Sequence, residues 1–344
     1  MSAHDGHPPL VTPGQDAGLV LFAMPKAFAG HIGTIQRNAV ESWTRLAPRP
    51  RILLLGDDAG TAEIAAALGC DHIPEVPRNA AGTPLVSGLF EAAARYAPND
   101  VLAYVNADII LFDNFMSAVA AARNRFDAFL MIGRRHDLTW DRSIDFDQPD
   151  WRGDLLRELA ATGILHAECG LDYFVHTPGL WGDIPPFALG RTAWDNWLVS
   201  APLARGNVVL NASAVVTAIH QNHDYKHIPQ GVHAAYFGEE ASANRAMAEA
   251  TGISCTGTCC DAAYAFAPDG RIVPQVGAKP QFESEAFKTQ RQQWLEAGIE
   301  RCLRAQKPRL ALMHLEELAF HSPDDPAIAA RLEAMRRQVA ETAA

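Results

Sequence analysis

Residues 101–113 read VLAYVNADIILFD, so that five apolar positions end abruptly in Asn106, Ala107 and Asp108. A short apolar run bounded by polar residues is the signature of a strand buried on both faces of a parallel sheet. An acid at the carboxyl end of such a strand faces the crevice where open α/β sheets bind ligands, and is placed to hold a divalent cation against a phosphate. Read as structure alone, Asp108 is an acid satisfied within its own turn, because a three-residue motif is weakly specific. Two further acids have apolar or aromatic neighbours: Asp172 in CGLDYFVH (169–176) and Asp195 between Trp194 and Trp197.

The elements that must position these acids follow from periodicity. LVLFAM (19–24) reads as a first strand, after which Ile32, Ile35, Ala39, Trp43 and Leu46 recur at helical spacing. RILLLGDD (51–58) is a second strand ending in Asp57 and Asp58, and TAEIAAALG a helix with Thr61 as N-cap and Gly69 as its stop. A short strand near His72–Val76 precedes GTPLVSGLFEAAARYAP, where Thr83 is the expected N-cap and Pro84 the first helical residue. Beyond Asp108, Asp113 is expected to cap a helix over Phe115, Val119 and Ala122. DAFLMIGRR (127–135) then reads as a buried strand and 136–150 as an acidic, aromatic loop over a site. WRGDLLRELAATG (151–163) is an amphipathic helix, CGLDYFVH a strand, and the Pro- and Gly-rich stretch to Arg191 a structured loop leading into the short helix of Asp195. NVVLNAS and AVVTAI form two more strands and deliver HQNHDYKH at 220–227. Strands alternating with helices of this length imply a Rossmann-like, mostly parallel, three-layer α/β sheet. The loop after the first strand, AMPKAFAGHIG, is neither GxGxxG nor a Walker loop, which disfavours dinucleotide enzymes and P-loop nucleotide hydrolases. Lys26, Asp57, Asp58 and Thr83 fall at the sheet edge where a base and ribose would lie.

Bulk properties narrow the classes. With 344 residues, 48% hydrophobic and 20% charged, the chain is globular and long enough for one main domain with an appendage. A net charge of −11 leaves no basic footprint for a nucleic acid. The cysteines at 70, 169, 255, 259, 260 and 302 follow no disulfide framework, and the triplet 255, 259, 260 lacks zinc spacing, so reduced thiols and a cytoplasmic setting are expected. The N-terminal stretch has no signal-peptide pattern, and no apolar run approaches the length of a membrane span.

Over about residues 18–230 this order of features resembles the nucleotide-sugar glycosyltransferases of the GT-A fold. The resemblance implies that Asn106, Ala107 and Asp108 stand where that family carries its metal-binding DxD motif, with Asn106 in place of the first acid. It implies that CGLDYFVH and GRTAWDNWL correspond to the strand under the sugar and to the acidic motif that supplies the base of inverting members. It also implies that His220 or His223 completes a shell of Mn²⁺ or Mg²⁺ around Asp108. His227 and His233 read as surface residues. Glycosyl transfer makes matching demands: a cation on the departing nucleoside diphosphate of a UDP- or GDP-sugar, and a carboxylate near neutral poise to take the proton of a glycan or other hydroxyl acceptor. Asp195, partly desolvated by its tryptophans, is the preferred base and Asp172 the second. As plain structure, Asp195 is a helix N-terminal acid favoured by the dipole, and Asp172 the partner of a nearby arginine.

The expected organisation is a loose tail over 1–17, the transferase domain over 18–235 and a C-terminal extension over 236–344. The extension comprises a helix over 239–252, a hairpin around Asp269 and Gly270, and helices similar to a tetratricopeptide pair plus cap, read first as a plain helical subdomain and second as a surface for a protein partner. Two rivals remain open: a sugar-phosphate nucleotidyltransferase, which shares the sheet but carries a Gly-rich first loop, and a non-catalytic carbohydrate-binding protein on a degenerate transferase fold.

Overall fold

The computed structural model describes residues 18–223 and 232–275 and, beyond 291, a discontinuous set that includes 325–343. The expected tail over 1–17 and His227 lie outside the described residues, as does the side chain of His233. Two compact units are present, Met1–Pro280 and Gln281–Ala344.

The first unit begins with three strand–helix steps. Strands β1 (Leu19–Ala23), β2 (Arg51–Leu55), β3 (Asp71–Ile73) and β4 (Val101–Val105) lie parallel in the order β4-β1-β2-β3. They are joined by α1 (Gly30–Thr44), α2 (Thr61–Leu68) and α3 (Val86–Tyr96). After β4 come β5 (Ile109–Leu111), α4 (Asp113–Arg125), β6 (Phe129–Ile132), β7 (His136–Leu138), α5 (Trp151–Thr162), β8 (Ile164–Leu165) and β9 (Tyr173–His176). The unit closes with α6 (Trp194–Ala204), β10 (Val208–Asn211), β11 (Ala218–Gln221), α7 (Val232–Phe237), α8 (Glu239–Ala250), β12 (Tyr264–Phe266) and β13 (Ile272–Pro274).

Among the described residues the main sheet has nine strands, β13-β12-β10-β6-β9-β4-β1-β2-β3, with β9 antiparallel to both neighbours and β13 antiparallel to β12. Side chains alternate between its faces. Leu21, Ala103, Met131 and Val175 pack with Ala39, Val40 and Trp43 of α1 and with Phe115 and Val119 of α4. On the other face Phe22, Tyr104 and Phe174 meet Phe90 of α3 and Trp194 of α6 at ring-centroid distances of 5.2 to 5.7 Å. The molecule is thus the mostly parallel, three-layer α/β fold expected from the alternation of strands and helices. Trp43 is fully buried, and its indole donates to the Ile109 carbonyl at 2.8 Å, tying α1 to β5 while burying an aromatic surface that contributes roughly 1.5–3 kcal/mol.

A second sheet of four strands, β5-β11-β7-β8, branches from the end of β4. In it β11 runs antiparallel to β5 and parallel to β7, with His220 opposite Ile109 on one side and Asp137 on the other. Part of 136–150, read as loop, is therefore strand β7.

Several local expectations are corrected. Thr61 is not an N-cap: Gly60, at φ 89, holds that position and the buried Thr61 hydroxyl finds no hydrogen-bond partner. Gly69 does stop α2, in the left-handed conformation that glycine tolerates. Thr83 and Pro84 belong to an extended segment that bridges to Arg78, so α3 starts only at Val86 with Leu85 before it. Asp113 is the first residue of α4, and its carboxylate accepts from the Ala47 amide at 2.9 Å rather than capping its own helix. AVVTAI contributes strand only from Ala218. The hairpin around Gly270 belongs to the main sheet, because β12 pairs parallel with β10, and the compact unit reaches Pro280 rather than ending at 235. In the second unit Leu295, Ile299, Ala311, Leu315, Leu318 and Ile328 form a small apolar core, the last of these on the helix Pro326–Ala343.

His176 closes the aromatic face of the sheet. It stacks on Phe90 at 5.4 Å, meets Trp181 at 4.5 Å, faces the Thr177 carbonyl through Nδ1, and leaves Nε2 buried without a partner. Burial pushes its pKa down from 6.5 to about 4. The unfolded chain therefore takes up this proton near pH 6.5 and the folded chain only near pH 4, so stability falls as pH drops through that interval, by at most about 3 kcal/mol. Urea unfolding of His176→Phe should show less loss between pH 7 and pH 4.5 than the unaltered protein. Equal losses would mean that His176 is not the group that resists protonation.

Candidate functional site

Asp108 sits in the turn between β4 and β5, and the branching of the second sheet brings two imidazoles to it. Gln221, the last residue of β11, donates its backbone N–H (3.4 Å) and its side-chain amide (3.1 Å) to the Asp108 carbonyl. Gln221 is itself held by Asn38 of α1 at 2.9 Å and by its own bond to the Ile35 carbonyl at 2.8 Å. With the backbone pinned, Oδ2 of Asp108 lies 3.1 Å from Nε2 of His223 and 3.8 Å from Nε2 of His220. Oδ1 is buried with no hydrogen-bond partner. One ligand atom from each of Asp108, His220 and His223 falls within 4.8 Å of the others. This donor set fits a divalent cation: a carboxylate and two imidazoles converge, and one buried carboxylate oxygen has no hydrogen-bond partner among the described residues.

The charges of the cluster act on one another. Burial alone would raise the pKa of Asp108, but His220, His223 and Lys26 outweigh it and hold the carboxyl well below its usual range. The same carboxylate, with Asp137, raises the pKa of His220 against burial. Lys26, at the end of β1, has surface open to solvent but is ringed by enough protein that its pKa is lowered, with Asp108 opposing and Arg191 adding to the effect.

Beside this cluster lies a network of charges. Asn106 donates its amide to Asp172 Oδ1 at 2.6 Å, accepts from the Tyr104 hydroxyl at 2.9 Å, and donates its backbone N–H to the Asp172 carbonyl. Asn106 thus faces Asp172. Arg135 bonds Asp172 Oδ2 at 2.8 Å and Asp137 at 2.9 Å, so both oxygens of Asp172 are occupied. Asp137 also approaches His166 Nδ1 at 2.5 Å and His220 Nδ1 at 3.3 Å.

Asp195 lies in the first turn of α6, which begins at Trp194 directly after Ala193, a non-glycine residue at φ 87, a strained conformation of the kind that accumulates at functional sites. Its Oδ1 accepts the Asn196 amide at 2.9 Å. Burial raises its pKa from 3.8 to about 6, the Asn196 bond opposes this, and Asp172 adds to it. Asp108, Asp172 and Asp195 each add to burial in raising the pKa of the Tyr104 phenol.

Asp57, Asp58 and Thr83 form a different group. Arg78 bonds Asp57 at 3.0 Å and Asp58 at 3.1 Å. Glu240 of α8 gathers Asn79 (2.6 Å), Thr83 and Arg191 (2.8 Å). Of the residues singled out from the sequence, Asp108, His220, His223 and Lys26 come together; Asn106, Asp172 and Asp195 adjoin them; Asp57, Asp58 and Thr83 stand apart. Arg135, Asp137, His166 and Gln221 were not anticipated, since the fold and no local motif brings Gln221 to Asp108, Arg135 to Asp172, and Asp137 to His166 and His220.

No family model matches the chain, and no curated protein matches its sequence. Its structure is similar to the mannosyltransferase PcManGT from Pyrobaculum calidifontis in complex with GDP-Man and Mn²⁺, at 15% identity over 97% of this chain and 84% of that one, TM-score 0.41. It is also similar to glucosyl-3-phosphoglycerate synthase from Mycobacterium tuberculosis in complex with Mg²⁺ and uridine diphosphate, at 15% identity over 60% and 73% of the two chains, TM-score 0.36. S. aureus TarS in complex with UDP-GlcNAc is more distant, at 9% identity and a TM-score of 0.28, and this chain covers only 35% of its length. These likenesses are too remote to carry an activity, a substrate or a metal from those proteins to this one.

The occupied geometry of Asp172 has a consequence for stability. Asp172→Asn leaves the Arg135 guanidinium without its buried partner and should cost about 3 kcal/mol, read as a lower urea midpoint at unchanged slope. An unchanged midpoint would mean that the pair is not structural.

Proposed function

We propose that the protein is a divalent-metal-dependent glycosyltransferase that moves a sugar from a nucleoside-diphosphate donor to an acceptor hydroxyl with inversion. The observation that carries this reading is the convergence of Asp108, His220 and His223 beyond the carboxyl end of β4, with the unpartnered Oδ1 of Asp108 among them. A mixed shell of carboxylate and imidazoles suits Mn²⁺ better than Mg²⁺. Held by these side chains, the cation supplies Lewis-acid neutralisation of the departing diphosphate. Lys26 adds positive charge on the same side, and its lowered pKa leaves it a ready hydrogen-bond donor to a phosphate oxygen. Asp108 stays ionised throughout the neutral range because its neighbours hold it so.

Asp195 is the base in this reading. A carboxylate with a pKa of about 6 is mostly ionised at neutral pH, yet basic enough to accept the acceptor's proton as the hydroxyl attacks. Asp172, bound on both oxygens, fills the positioning role: it holds Arg135 and Asn106 beside the site. Asn106 then contributes shape rather than charge, and the two histidines supply what the missing first acid does not. Asp57, Asp58 and Thr83 are kept as the base and ribose end of the donor site, on position alone. The helices beyond 291 remain a candidate surface for a protein partner, and the cysteine pattern a reason to expect a cytoplasmic setting.

Thermal shift with UDP- and GDP-sugars, with and without Mn²⁺, tests the reading. A ligand at a hundred times its dissociation constant adds roughly 2.7 kcal/mol to the native state. Asp108→Ala should abolish the Mn²⁺-dependent part of donor binding while the protein stays folded, and full donor binding and transfer by that variant in chelator would remove the metal from the scheme. Asp195→Asn should keep donor affinity and lower turnover by about 10²- to 10⁴-fold. In the unaltered enzyme, turnover should fall as pH drops through about 6, because the base is then protonated. Release of pyrophosphate in place of a nucleoside diphosphate would select the nucleotidyltransferase instead.

A further inference from the structure

The proposed metal shell contains an imidazole whose second nitrogen also faces a carboxylate. His220 lies in β11 between β5 and β7, and the parallel register sets its Cα opposite that of Asp137. From there the ring presents Nε2 to Asp108, at 3.8 Å from Oδ2, and Nδ1 to Asp137, at 3.3 Å from Oδ1. Nδ1 is buried and makes no aligned hydrogen bond. Asp137 is fixed from two other directions, by Arg135 at 2.9 Å and by His166 at 2.5 Å, so it can neither turn away from the ring nor follow it.

An imidazole binds a cation only through an unprotonated nitrogen, and which nitrogen is free depends on what holds the other. We propose that Asp137 is the positioning residue of the cation site: it retains the His220 proton on Nδ1, leaves the Nε2 lone pair toward Asp108, and fixes the ring plane. This rests on the reading of Asp108, His220 and His223 as cation ligands. Asp137 itself touches neither cation nor donor.

Mn²⁺ titration of the full chain, read by the loss of the free-ion electron paramagnetic resonance signal, tests the assignment without any donor or turnover. Outer partners of this kind are worth about 10- to 100-fold in metal affinity. Asp137→Asn, whose amide can offer a hydrogen to Nδ1 and so favour the opposite tautomer, should weaken Mn²⁺ binding by that factor. Asp137→Glu should recover part of the loss. The near-ultraviolet circular dichroism of Asp137→Asn serves as the control for simple collapse of the network and should match that of the unaltered protein. Nitrogen-15 spectra of the histidines should show His220 protonated on Nδ1 in the unaltered protein and a mixture in Asp137→Asn. Equal Mn²⁺ affinity in Asp137→Asn and the unaltered protein, or an equal loss in Asp137→Glu, would overturn the positioning role while leaving the cation site intact. Failure of the unaltered protein to bind Mn²⁺ would overturn the cation site itself.

Discussion

The pairing of β11 with β5 is the constraint on which the site depends. β5 begins one residue after Asp108 and β11 ends two residues before His223, so a single antiparallel register fixes the separation of carboxylate and imidazoles. Nothing in the Asp108 turn would hold a cation alone. The register is in turn secured from the main core: Trp43 bonds the Ile109 carbonyl, Ser42 accepts the Leu111 amide, and Asn38 with Gln221 locks the end of β11 to α1. Helix α1 thus serves both sheets, burying its apolar stripe on one and spending its polar residues on the alignment of the other. Buried polar side chains of this sort are tolerated only when every partner is in place, which makes the small sheet intolerant of slippage.

Around that pairing the charges are arranged in alternation. Asp108 faces His220 and His223; His220 faces Asp137; Asp137 faces Arg135 and His166; Arg135 faces Asp172; Asp172 faces Asn106. Each buried charge has an opposite or hydrogen-bonding neighbour, which is what allows so many ionisable groups to share a partly dry region. Asp195 differs: burial, with Asp172 nearby, raises its basicity against the opposing Asn196 amide and Arg135. The contrast between a carboxylate surrounded by cations and one whose charge burial disfavours separates a permanent charge from a group that can exchange a proton near neutrality.

Much of this was legible beforehand where the information is local. β4 and Asp108 were visible because an apolar run that stops at an acid is written in consecutive residues, and α6 with Asp195 because its tryptophans flank the acid in the chain. The helix starts were misread at Thr61, Thr83 and Asp113 for one shared reason: each has a side chain able to cap, but a left-handed glycine, a β-bridge and a tertiary acceptor contact claimed the local geometry instead. Asp137 and Gln221 were illegible because their partners lie 83 and 113 residues away, brought near only by strand register. The continuity of the sheet past 235 was illegible in the same way, since a hairpin looks self-contained until its neighbouring strand is known.

That hairpin bears on how the chain can be handled. β12 covers the outer edge of β10, and Tyr264 and Phe266 pack onto the same apolar layer as Phe126 and Leu210. A chain cut at 235 would keep every residue of the cation cluster and of the Asp195 helix, yet it would bare a row of unpaired amides and carbonyls along a buried-type strand. Exposed edges of that kind recruit one another. Insolubility of such a fragment would therefore report on a missing border strand and carry no information about the chemistry it encloses.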